Sequence, residues 1–166
     1  MGVFLFGFFI LIALTALLLG WKKNSNGYLL PETVARNEIR GLSPIGIDSL
    51  QDAAVLAIGE QQPGLQTAID RVDIRPDDGL AKVTFKDHYW EVQVDLFTGR
   101  VLQVAKRRSD LIENLHDASY LDKAFATGGD IIKLVYTTIM SLALLTFSLT
   151  GFWLWYGPRR MRRLKR

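Results

Sequence analysis

Two uncharged hydrophobic runs bracket this chain, residues 3–20 and residues 134–156. As helices, both approach or exceed the thickness of a bilayer core of about 30 Å, which predicts a transmembrane helix at each end. Residues 1–21 are assigned to the first and 131–157 to the second, with Gly157-Pro158 as the expected stop. Between the runs the pattern changes twice. Residues 22–47 carry Asn26-Gly27, Pro31, Gly41, Pro44 and Gly46 among mixed charges, and read as a linker with room for one short helix at 34–39. From 48 to 106 the periodicity is that of a folded domain. Ser49 and Asp52 have the spacing of a capping pair, and Leu50, Ala54, Ala57 and Ile58 fall on one helical face before Gln62-Pro63-Gly64 stops the helix.

After that stop the period becomes two. Val72 and Ile74 alternate in a first strand, Pro76-Asp77-Asp78-Gly79 makes a turn, and Ala81, Val83 and Phe85 oppose Lys82, Thr84 and Lys86. Trp90, Val92 and Val94 oppose Tyr89, Glu91 and Gln93 in a third strand. Asp95 to Gly99 forms a hairpin loop, and Leu102 and Val104 point inward from a fourth strand. The fold class is therefore α+β: one helix on a small antiparallel β-meander, held between two transmembrane helices. Residues 107–130 form a juxtamembrane helix and loop, with Ser109-Asp110 suited to cap the helix, and 158–166 form a basic tail.

Charge supplies the orientation. Lys22 and Lys23 follow the first run, but six of the last eight residues are basic, so both termini are placed in the cytoplasm and residues 22–130 outside it. The first run has no basic residue ahead of it and no clear A-x-A site, which favours a retained anchor over a cleaved signal peptide. With 166 residues, the chain leaves roughly 110 between the runs, enough for one small domain. The net charge of +3 owes much to the tail, where it reads as a topology signal and a contact for anionic lipid rather than nucleic acid. Cysteine is absent, excluding disulfides, thiol nucleophiles and cysteine metal sites.

The segment YWEVQVDLFTGRVLQV at 89–104 resembles the closing hairpin of the PepSY domain. Leu115-His116-Asp117-Ala118-Ser119, followed by a span ending Leu149-Thr150-Gly151-Phe152-Trp153-Leu154-Trp155-Tyr156, resembles the PepSY-associated transmembrane proteins. The resemblance covers roughly residues 47–158. Ala118 stands where that family usually has glycine, and the first span lacks the His-Arg-Trp type element of larger relatives similar to ferric-siderophore reductases. The family resemblance implies a bacterial inner-membrane protein with a periplasmic or extracellular domain. It also implies a regulatory or accessory role, since PepSY domains have been proposed to restrain peptidases.

Candidate chemistry is sparse. A hydrolase needs a nucleophile with an oriented base, or a metal with about three ligands, and the chain has two histidines. His88 falls in a polar turn. His116, beside Asp117, has two readings: a ligand whose tautomer Asp117 or Asp122 holds, extending to a haem axial role, or a hinge where the helix bends toward the membrane. No catalytic residue, metal or resident cofactor is expected, and the chain is expected not to be an enzyme. Trp90 belongs to the core, while Tyr89 and Phe97 form a candidate partner surface, and sheet edges offer strand addition. Thr137, Ser141, Leu144, Ser148 and Gly151 make a seam of mostly small and hydroxyl residues on the second span, matched by Ala13, Ala16 and Gly20 on the first. These seams pack against each other or against another protein, unless the hydroxyls satisfy their own helix. A protein partner is expected, with a redox subunit for iron-siderophore or haem handling as the alternative function.

Overall fold

The computed structural model describes residues 2–34, 43–125, 127 and 129–164. The expected short helix at 34–39 lies, apart from Val34, outside the described residues. In chain order the elements are α1 (Gly2–Gly20), a 3-10 turn (Lys22–Asn24), α2 (Ile47–Gln61), β1 (Ile69–Arg75), β2 (Leu80–Phe85), β3 (Trp90–Asp95), β4 (Val101–Lys106), α3 (Arg108–His116), α4 (Ser119–Phe125) and α5 (Ile131–Leu164). They fall into two units, Leu17–Ile112 and the two chain ends Met1–Ala16 with Glu113–Arg166.

In the first unit the four strands pair antiparallel in the order β1-β2-β3-β4. Burial of one helical face against one sheet face makes the core: Leu50, Ala54, Ala57 and Ile58 of α2 pack on Ala81, Val83, Phe85, Val92 and Val94, with Trp90 partly buried beside them. The helix starts at Ile47 with Gly46 as its N-cap and no side-chain cap, so Ser49 and Asp52 stand inside the first turns and do not form a capping pair. Two bulges re-aim residues that simple alternation misplaces. One falls between Ile69 and Arg71 in β1 and brings Ile69 and Val72, three positions apart, onto the core, while Ile74, opposite Ala81, is left exposed. The other, opposite Gln93 and Val94, turns Val101 rather than Leu102 onto the core beside Val104.

The second face of the sheet is polar in composition yet buried: Lys82, Thr84, Glu91, Gln93 and Asp95 are nearly inaccessible. What covers part of it is a strap, residues 28–34, from the segment expected to be linker. Gln93 Nε2 donates to the Glu32 carbonyl (2.8 Å) and Glu91 Oε1 (2.9 Å), while Gln93 Oε1 accepts the Val34 N–H (3.0 Å). The buried Leu29 accepts the Ser109 N–H at 2.8 Å, tying the strap to the start of α3. Arg108 adds a second tie, lying 4.4 Å over the Tyr28 ring and donating to its carbonyl. Beneath the strap Glu91 is wholly buried and shared by Arg107 Nη1 (2.5 Å) and Lys82 Nζ (3.5 Å), while Arg107 Nε donates to Asp110 (2.8 Å). Burial lowers the Lys82 ammonium below its ordinary range despite the attraction of Glu91.

In the second unit, aromatic side chains bring α1 and α5 together: Phe9 meets Phe147 edge-on at 5.6 Å between centroids, and Phe8 meets Tyr136 at 6.1 Å. Ile131–Arg160 is long and apolar enough to cross a membrane, and the apolar stretch of α1 is the shorter Leu5–Gly20. The expected stop at Gly157-Pro158 does not occur, since α5 runs to Leu164 with Pro158 inside it. Proline removes one bond, to the Leu154 carbonyl, at a point where the apolar run gives way to arginines and solvent can take that carbonyl.

The β3–β4 loop sets a stability test. Asp95 Oδ1 accepts the N–H groups of Phe97 and Thr98, and Gly99 (φ 71°) sits with Ile45 Cδ1 3.0 Å from where a Cβ would stand. Gly99→Ala is expected to destabilise the chain by about 1–2 kcal/mol from the left-handed backbone alone, with the Ile45 clash added, read as a lowered midpoint in urea unfolding of the solubilised chain. An unchanged midpoint would contradict the loop geometry.

Candidate functional site

The residues flagged by sequence gather where α3 gives way to α4 and then α5. His116 ends α3, and its Nδ1 lies 2.8 Å from Thr15 Oγ1 on α1. The Thr15 hydroxyl also reaches the Leu11 carbonyl (2.8 Å) and the Ile12 carbonyl (3.0 Å). It has one proton to give. With that proton on a helix carbonyl, His116 Nδ1–H is the donor and Nε2 is the bare nitrogen; with it on Nδ1, Nε2 carries the hydrogen. Thr15 thus takes the place expected for Asp117 or Asp122, because both carboxylates are committed elsewhere. As the lone hydroxyl in residues 3–20, Thr15 carried a signal, but nothing in the sequence connected it to position 116.

Asp117 holds the bend. Its Oδ1 accepts the Ser119 N–H (3.0 Å) at the start of α4, and its Oδ2 pairs with Lys133 Nζ (2.7 Å) at the start of α5. Ala118, buried between them, has a left-handed backbone (φ 62°) of the kind glycine adopts without strain. Asp122 closes the turn into α5 by accepting from the Thr127 hydroxyl and from the backbone N–H groups of Ile132 (3.0 Å) and Lys133 (2.7 Å), which would otherwise be orphan donors of the first helical turn. Burial raises both carboxyls but is outweighed. Lys133 and Ser119 hold Asp117 below the usual carboxylate range, and Thr127 with the α5 N–H groups does the same for Asp122. Lys133 and Thr127 were not anticipated, although Lys133 is the lone charge in residues 131–158.

The remaining candidates do not join this cluster. His88 is a structural residue, with Nε2 donating to the Gln66 carbonyl (2.9 Å), Nδ1 accepting the Trp90 N–H (3.3 Å) and the ring 4.9 Å from that of Phe85. Phe97 is half-buried against the core rather than displayed on a partner surface, while Tyr89 is half-buried next to Trp90. The seam residues Ala13, Ala16, Gly20, Thr137, Ser141, Ser148 and Gly151 are all exposed, since α1 and α5 meet through Phe8, Phe9, Tyr136 and Phe147 instead. Among the described residues no group of three His, Cys, Asp or Glu side chains could hold a metal ion.

The lowered carboxyls give a pH dependence of defined sign. Because both are more acidic folded than unfolded, their stabilisation is complete above about pH 4 and drains away as pH falls through the depressed folded values. The unfolding temperature of the wild-type chain should therefore fall on acidification below about pH 4. The double variant Asp117→Asn, Asp122→Asn should start lower at neutral pH and vary less with acid. Parallel curves for the two would remove these groups from the acid response.

The architecture just described agrees with one comparison. No curated protein and no solved structure matches the chain. A family model described as the PepSY-associated TM region matches residues 1–166. The chain belongs to the PepSY-associated TM region family.

Proposed function

We propose that this chain is a two-pass protein of the bacterial cytoplasmic membrane, with both termini inside, and that it presents its helix-and-meander domain outside the cytoplasm as a non-enzymatic accessory or regulatory module. The reading rests chiefly on the use made of its polar groups. Glu91, Arg107, Asp117 and Asp122 are each bound into the fold, which leaves surface contact as the activity the domain is best built for. The apolar α5, the charge-free α1 and the basic tail support the membrane anchoring. Restraint of a peptidase is the relation that the PepSY resemblance suggests, and the half-buried Tyr89 is the aromatic through which we expect contact.

The absence of cysteine makes the topology directly testable, because one introduced cysteine is the only thiol in the chain. Asp78→Cys should react with a membrane-impermeant maleimide in intact spheroplasts, and Arg163→Cys only after lysis. The opposite pattern would overturn the orientation. A photo-crosslinking residue at position 89 should capture one protein in native membranes, with capture lost when the crosslinker is moved to the core position 83; equal capture from both would refute the contact surface.

A second reading, a redox subunit in iron or haem handling, draws on one observation: His116 is held through Nδ1, and Nε2 has no partner among the described residues. A histidine so held offers one axial ligand. On this reading purified chain shows a Soret band that His116→Ala abolishes and Thr15→Val weakens, whereas colourless chain reconstituted with excess haemin would end it.

A further inference from the structure

Between the strap and the second face of the sheet lies a recess of about 370 Å³, within the range of small-molecule pockets. Four cationic side chains line it, from four separate segments: Lys23 from the 3-10 turn, Arg75 from the end of β1, Lys82 from β2 and Arg107 from the residue after β4. Against them, among the described residues, stands one lining carboxylate, Glu32, an exposed residue whose backbone carbonyl holds Gln93. Leu30 and Pro31 supply an apolar wall.

The cations are graded by depth. The Lys82 side chain is 4% exposed and that of Arg107 is 17%, whereas that of Arg75 is 42% and Lys23 is open to solvent. The two deep ones are fixed in place by Glu91 but not exhausted by it. Among the described residues Lys82 makes a single long contact of 3.5 Å, and it has three N–H donors. Arg107 uses Nε and Nη1, and Arg75 reaches Asp73 with Nε and Asp78 with Nη1, so neither guanidinium commits Nη2 among the described residues. Burying an ammonium with donors to spare is unfavourable unless a second acceptor arrives.

We propose that this recess binds a phosphate group, either of a soluble phosphate ester or of an anionic phospholipid headgroup, with Lys82 and Arg107 as its floor and Lys23 and Arg75 as its rim. A carboxylate has two oxygens and is satisfied by one guanidinium fork. A tetrahedral phosphate carries more charge and more acceptors, and calls for several donors converging from different directions. The lipid source is plausible chemistry for this chain because Lys23 follows the last residue of α1, Gly20, by three positions. Burial keeps the Lys82 ammonium below its ordinary range, and a bound anion would oppose that shift. None of this depends on the accessory reading above, which concerns a protein contact elsewhere on the domain.

The test is calorimetry on the full chain in phosphatidylcholine nanodiscs, titrated with inorganic phosphate at constant ionic strength, together with unfolding temperatures measured in phosphatidylcholine and in mixed phosphatidylcholine–phosphatidylglycerol nanodiscs. Saturable heat, or an unfolding temperature raised by phosphatidylglycerol, is expected for the wild type. The rim variant Lys23→Gln, Arg75→Gln leaves every Glu91 contact in place, and it should weaken phosphate binding at least about tenfold and abolish the lipid shift. Lys82→Met should do the same, and if it fails to fold the rim variant still decides. Phosphate heat that vanishes in phosphatidylglycerol nanodiscs assigns the recess to a headgroup, and heat unchanged there assigns it to a soluble ester. Absence of both signals in the wild type, or signals equal in wild type and rim variant, overturns the proposal.

Discussion

A single carboxylate with no access to water organises the outer domain. Glu91 sits on the sheet face away from α2, where an unpaired charge would be untenable, so its two oxygens must be met by cations and amide donors brought from elsewhere. Lys82 comes from the neighbouring strand, Arg107 from the chain just beyond the sheet, and Gln93 from two residues along β3. Each partner then recruits a further piece: Gln93 the strap, Arg107 the first turn of α3 through Asp110. The apolar core beneath α2 decides that a helix and a meander pack together. The polar cluster on the reverse side decides what else belongs to the same body.

That division explains what could be read from the sequence. Alternation in residues 80–94 marks strands because half of each strand meets an apolar helix, and Gln62-Pro63-Gly64 or Asp95 to Gly99 mark turns because their backbone chemistry is local. Bulges are different, since the places of Leu102 and Ile69 depend on a partner strand's register, which no single strand encodes. The strap was illegible for a related reason. Its bonds run from the Gln93 amide to backbone groups, and backbone groups have no letter in the sequence. The face opposite the apolar one is polar because it has a different cover.

Near the membrane the pattern of legibility reverses. His116 and Asp117 stood out as residues with some task, and Asp117 does join three helices at their bend, but the partners were hidden. Thr15 lies 101 positions from His116, and its approach to the imidazole depends on how α1 and the last residues of α3 lie within their unit. The small-residue seams are a different case. Spacing identified small faces at which backbones can approach closely, and those faces stay exposed while α1 and α5 meet through larger rings.

The strap has a mechanical consequence. A flexible linker would absorb any movement of the preceding helix as slack. Here the chain leaves α1 at Gly20 and, by Glu32 to Val34, is held to β3 through both ends of one glutamine amide. Tension carried along the chain from Gly20 therefore meets the start of α3 first, through the bonds of Arg108 to Tyr28 and of Ser109 to Leu29, and then the centre of the sheet at Gln93, before it can reach α2.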